Sequence, residues 1–172
     1  MKKTILILAL FLFTFNSYSQ LGVKVGYANA KPKLTMSGVS ISGDGIGGFM
    51  IGLTNLSEIS DNLKWGVDLT YASYSSDGDS LGAIEIPIYL QYYTSGEGLY
   101  IKGGAFYRNL TEDDIDGFKK GAFGLGLGVG FDVSEKFGID LGYDLQLSDS
   151  LKDVDDASYK LSALKIGVKY MF

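Results

Sequence analysis

Phe137-Gly138-Ile139-Asp140-Leu141-Gly142-Tyr143-Asp144-Leu145-Gln146-Leu147-Ser148 is the stretch that decides the fold. Phe137, Ile139, Leu141, Tyr143, Leu145 and Leu147 hold the odd positions, while Gly138, Asp140, Gly142, Asp144, Gln146 and Ser148 hold the even ones. Side chains of an extended chain point alternately to opposite sides, so this is one strand with an apolar and a polar face.

The same period of two returns at 21–28, 48–54, 64–71, 84–92, 99–108, 123–132 and 164–172. Most of these segments come close to the 9–11 residues that a tilted strand needs to cross a bilayer. The connections alternate in kind: 31–44, 75–80, 109–120 and 149–158 are the longer ones, and 57–62, 94–98 and 134–136 the shorter. The pattern predicts an all-β chain, an eight-stranded antiparallel transmembrane β-barrel of up-and-down meander topology, with short periplasmic turns and both ends in the periplasm.

A soluble barrel also alternates, with its apolar face inward. Glycine decides between the two. The polar face carries Lys24, Asp68, Glu85, Lys102, Arg108, Asp132, Asp140, Asp144, Lys165 and Lys169, and between them stand mostly glycines, of which the chain has 24. Glycine weakens a strand, so a solvent face gains little from it. Inside a narrow barrel it leaves room for the few long side chains to cross and pair. The other face is apolar, with aromatics towards the strand ends, as at Tyr27, Trp65, Tyr71, Tyr92, Phe131, Tyr143 and Tyr170. Such rings form the girdles of a membrane barrel.

The first residues are an address. Lys2 and Lys3 precede an apolar run over 5–15, broken only by Thr14, and Ser17-Tyr18-Ser19 supplies a small-x-small cleavage site. The run is too short for a membrane helix of about 20 residues. We expect a cleaved signal peptide over 1–19 and a barrel domain over 20–172, exported to the outer membrane of a Gram-negative bacterium. Removing both lysines takes the formal charge from −5 to −7.

Several phrases carry a further signal: Gly48-Phe49-Met50-Ile51-Gly52-Leu53, the turn Ile59-Ser60-Asp61-Asn62-Leu63, and Glu85-Ile86-Pro87-Ile88-Tyr89-Leu90-Gln91-Tyr92. Leu125-Gly126-Leu127-Gly128-Val129-Gly130-Phe131 and Leu164-Lys165-Ile166-Gly167-Val168-Lys169-Tyr170-Met171-Phe172 complete the set. Together they resemble the outer-membrane β-barrel domain family of PorT-like, Bacteroidetes-type proteins. The resemblance implies fold and compartment, and carries no catalytic motif.

The chain has neither cysteine nor histidine. It lacks the thiol nucleophile, the thiolate metal ligand, the acylated cysteine of a lipoprotein, and the commonest general base. Ser73 and Ser162 have no base to activate them. The reading is a protein without enzymatic activity, cofactor or metal site, and its negative charge argues against nucleic acid.

Nine charged residues are expected to form a lumen network: Lys24, Asp68, Glu85, Lys102, Arg108, Asp140, Asp144, Lys165 and Lys169. Counting across hairpins puts Glu85 beside Arg108, Asp140 and Asp144 near Lys165, and Lys169 close to Asp140. An eight-stranded interior is just wide enough for side chains to fill, which favours a charge-neutralising plug over a solute track. A bulge or kink is expected at Pro87, which removes a ladder donor. Phe172, a terminal aromatic, resembles the signal read by barrel assembly machinery. The further partners expected are outer-membrane lipid, lipopolysaccharide, and a surface partner for the acidic stretches 77–79, 112–116 and 153–156. Cation binding there is the weaker reading, since the spacing is not that of an EF-hand.

Overall fold

The structure, a computed structural model, describes residues 19–76, 79–94, 98–112, 117–152 and 156–172. The expected signal peptide lies outside these residues except for Ser19, as do most of the three acidic stretches.

Among the described residues nine strands follow one another: β1 (Ser19–Met36), β2 (Val39–Ser42), β3 (Ile46–Ser60), β4 (Leu63–Ser76), β5 (Asp79–Tyr93), β6 (Leu99–Leu110), β7 (Gly121–Asp132), β8 (Phe137–Gln146) and β9 (Ala157–Met171). All except β2 form the wall. Each pairs antiparallel with its neighbour, and β1 closes on β9 from Gly22↔Met171 to Met36↔Ala157. The expected eight-stranded meander is therefore closed, with one short strand added.

The register fixes the shape. Cα partners followed once round the wall run Gln20, Leu56, Gly66, Tyr89, Gly104, Gly126, Asp144, Ala163 and back to β1 at Ala30. The walk returns ten residues further along β1. Ten rises of about 3.3 Å against eight strand spacings of about 4.8 Å give a tilt of about 40°.

The sequence placed a long connection at 31–44. Instead β1 continues to Met36, turns through Ser37 and Gly38 at φ of 48° and 81°, and returns as β2. Two consecutive positive φ values make the turn type that matches strand twist. Lys33↔Ser42 to Met36↔Val39 pair in this hairpin. It takes the edge of β1 that β3 vacates after Ala30↔Ile46. The connection at 75–80 is also shorter than expected, since β4 runs to Ser76 and β5 starts at Asp79. Pro87 causes no bulge. The β4–β5 ladder lapses between Val67↔Ile88 and Thr70↔Glu85 and resumes in the same register.

The outer face is apolar, with Leu21, Val25, Ile51, Leu90, Ile101, Leu127, Ile139 and Ile166 exposed. Exposed aromatics fall into two belts. Tyr27, Phe49, Tyr71, Tyr107, Phe123 and Tyr143 stand towards the loop end, and Tyr92, Phe131, Phe137 and Phe172 towards the turn end. Water would penalise such a surface, whereas a bilayer is its matching solvent.

Candidate functional site

The inner face holds the chemistry. Among the described residues, five cations (Lys24, Lys102, Arg108, Lys165 and Lys169) meet five anions (Asp68, Glu85, Asp132, Asp140 and Asp144), in three tiers along the barrel axis.

The tier nearest the loops centres on Glu85. Arg108, opposite it in the β5–β6 register, donates from Nε to Oε1 at 2.7 Å. Lys165 donates to Glu85 Oε2 from across the lumen, and to Asp144 Oδ2 at 2.5 Å. Arg108 Nη2 lies 3.8 Å from Asp144 Oδ2, without a hydrogen bond. Glu85 and Arg108 are each 1% exposed. A charge this deep is tolerable only when paired.

In the middle tier Asp140 accepts from Lys24 at 3.1 Å and Lys102 at 2.6 Å. Lys24 also lies 3.6 Å from Asp68, which accepts from the Tyr89 hydroxyl at 2.9 Å. The third tier pairs Lys169 with Asp132 at 2.9 Å. Asp132 also accepts from Tyr93 at 2.6 Å, and Gln91 donates to that hydroxyl at 2.7 Å. Lys169 stands 4.5 Å from the ring centre of Tyr100.

All nine network residues expected from sequence point into the lumen, and Glu85 meets Arg108 as the hairpin count required. Two pairings differ. Lys165 ion-pairs with Asp144 but not with Asp140, which is taken by Lys24 and Lys102 from other strands. Lys169, expected beside Asp140, reaches Asp132 instead, because its register partner Gly138 has no side chain in the way. The tyrosines of the network were not picked out from the sequence. Tyr89 and Gln91 do stand on the polar side of their alternation, which was the available signal.

The inner glycines seat these rings. A Cβ on Gly66 would come 2.5 Å from Tyr89 Cζ, and Gly130 lies directly beneath Tyr100. Aromatic rings laid over glycines of a neighbouring strand stabilise curved sheets.

Above the charges the lumen turns apolar. Ala28, Ala30, Met50, Ala72, Tyr74, Ala83, Leu161 and Ala163 form a buried cluster, with Ile46, Leu81, Leu110 and Tyr159 packed on it. Arg108 Nη1 donates to Leu161 O at 2.7 Å, which ties cap to network. The turn end is a polar cup of about 630 Å³, lined by Glu58, Lys64, Tyr93, Asp132, Lys136 and Lys169 among others. Between them an interior void of about 60 Å³ lies among Lys24, Asp68, Lys102 and Asp140. Phe172 closes the wall at the turn end: its N–H donates to Leu21 O at 2.9 Å, and its ring meets Tyr170 edge-on at 5.8 Å.

The sequence matches, over residues 4–172, the family model described as outer membrane protein beta-barrel domain. Among curated proteins nothing matches. Among solved structures the chain resembles Ail, the attachment invasion locus protein of Yersinia pestis, at 18% identity and a TM-score of 0.54, covering 90% of this chain and 99% of that one. It also resembles Neisserial surface protein A, at 21% identity and a TM-score of 0.56, covering 88% and 97%. At these identities the likeness establishes the fold.

Proposed function

The chain belongs to the outer membrane protein β-barrel domain family, and from that premise we propose that it is a closed, non-enzymatic barrel that stabilises the outer membrane and presents its loop end to a surface partner. The observation that carries this reading is the filled lumen: five cations balance five anions in a side-chain plug, and a buried apolar cluster caps the loop end. Ions crossing such a section would have to break buried pairs and wet an apolar layer. A signal peptide removed after Ser19 accounts for export, and the C-terminal strand ending on Phe172 for delivery by barrel assembly machinery. Lipopolysaccharide and membrane lipid are the constant partners. The phrases at 48–53, 85–92, 125–131 and 164–172 support a place among the PorT-like, Bacteroidetes-type members.

The test is single-channel conductance of the mature chain refolded into a planar bilayer. Silence from protein shown to be folded supports the closed barrel. Steady ohmic conductance altered by Glu85→Ala or Lys165→Ala would replace it with a narrow pore, a reading that the cup at the turn end favours. Co-purification with periplasmic or membrane partners would point instead to a subunit of a secretion or assembly complex.

A further inference from the structure

The outward face of β1 changes character beyond the apolar belt. Leu21, Val25 and Tyr27 are followed on the same side by Asn29, then by Lys31 and Lys33, both exposed. On β9 the same side runs from Leu164 through Ser162 to Lys160. The β1–β9 register sets Lys33 directly opposite Lys160, and Lys31 opposite Ser162, one pleat away. Three ammonium groups therefore share one patch on the outer wall. Like charges set directly opposite on neighbouring strands are destabilising. Among the described residues none of the three forms an ion pair, and Asp44, in the link from β2 to β3, gives them none. This patch is basic on a chain whose formal charge is −5.

Its height is set by the belt. Lys31 follows Tyr27, and Lys160 precedes Leu164, by four positions each. At about 3.3 Å per residue and a tilt of about 40°, that is about 10 Å along the barrel axis beyond the last exposed apolar side chain of each strand's belt. Lysine stems reach back along an apolar wall while the ammonium stays among polar headgroups. The patch is thus continuous with the membrane-facing surface and stands in the headgroup layer on the loop side.

We propose that Lys31, Lys33 and Lys160 form a binding site for the phosphate of an outer-leaflet glycolipid, whose acyl chains lie against the apolar wall below. The anion relieves the Lys33–Lys160 repulsion and fixes the lipid beside the β1–β9 seam. The site rests on the outer-membrane reading above, and deepens it by naming where the lipid is held.

The test uses the mature chain in nanodiscs containing diphosphorylated lipid A or the same glycolipid without phosphates. Lipid retained after detergent exchange is counted by native mass spectrometry. The wild type retains the phosphorylated lipid preferentially. The triple variant K31Q/K33Q/K160Q loses the preference, by about fivefold per lysine removed, which is about 1 kcal/mol each at a membrane surface, and K31R/K33R/K160R keeps it. Competition by millimolar inorganic phosphate in lipid-free micelles would identify a free-anion site and overturn the lipid assignment. Equal retention by the wild type and the folded glutamine variant, or retention blind to lipid phosphate, overturns the site and leaves the outer-membrane reading intact. A chain that folds in buffer and does not enter bilayers would remove that reading itself.

Discussion

Glu85 is the residue on which the plug turns. It accepts from Arg108 and from Lys165 while 1% exposed. Glu85→Ala leaves two buried cations sharing Asp144, and breaking a buried pair in this way costs about 3–5 kcal/mol. Glu58, at the cup rim, pairs with Lys64 at 3.1 Å through a largely exposed side chain, and Glu58→Ala costs less than about 1 kcal/mol. Urea titration in lipid vesicles, followed by the fluorescence of Trp65, the single tryptophan, compares the two. Equal losses would mean that the lumen is hydrated and its pairs screened. A second residue acts outside the membrane. Asp149 Oδ1 accepts the backbone N–H of Tyr159 at 2.7 Å and of Leu151 at 3.1 Å, and so joins the last loop to β9. Burial would raise its pKa, but these hydrogen bonds and the charge of Lys119 outweigh it and hold the carboxyl below the usual range. A depressed pKa contributes stability that is fully present above the unfolded value of about 3.9 and is lost as pH falls through the lower folded value. The Tyr159 amide resonance should therefore stay constant down to about pH 4 and move only below it, and Asp149→Asn should abolish the movement. A midpoint above pH 4 in the wild type would contradict the hydrogen-bonded carboxylate.

At the scale of elements, the period of two made the wall legible because strand alternation and bilayer thickness constrain every wall strand at once. The β1–β2 hairpin was hidden for a physical reason. The stretch 31–44 contains Pro32 and several polar and glycine residues, which read as a loop, and its pairing comes from β9 and from its own turn instead of a buried face. Lumen pairing was legible only where partners sit on adjacent strands, as Glu85 and Arg108 do. Asp140 binds Lys24 and Lys102 from strands that are not its neighbours, a fact set by stagger, which one-dimensional counting does not carry. Two element-scale predictions follow from the glycines. Gly38, at φ 81° with open space around it, can become alanine only at the cost of backbone strain, about 1–2 kcal/mol. Amide exchange at Met36 and Val39 should quicken in Gly38→Ala while exchange in β7 and β8 stays unchanged. Gly66→Ala drives a methyl into the Tyr89 ring. Overpacking of this kind costs about 1–3 kcal/mol, and the Tyr89–Asp68 hydrogen bond should be lost. An unshifted melting curve for Gly66→Ala would show that the ring is free to move aside.

The whole molecule is inverted relative to a soluble protein, apolar outside and charged within, and it is also asymmetric from end to end. The cup at the turn end is open and polar, whereas towards the loop end the lumen narrows through residues such as Ala28, Ala30, Ala72 and Ala83, all 0% exposed, below a smaller cavity of about 190 Å³ beside Arg108, Phe118 and Tyr159. Among the described residues the wider opening onto the charged tiers is therefore on the turn side. Since the chain has no cysteine, single introduced thiols report this directly. Glu58→Cys in the cup and Ser40→Cys on the exposed hairpin should react with a hydrophilic maleimide within minutes in nanodiscs, where both ends meet solvent. Ala72→Cys differs from alanine by one sulfur and should stay unmodified for hours, then react at once when the barrel is unfolded in urea. Labelling of Ala72→Cys as fast as Glu58→Cys would mean that the apolar layer opens to water, so that the charges beneath it line a path through the barrel rather than a plug.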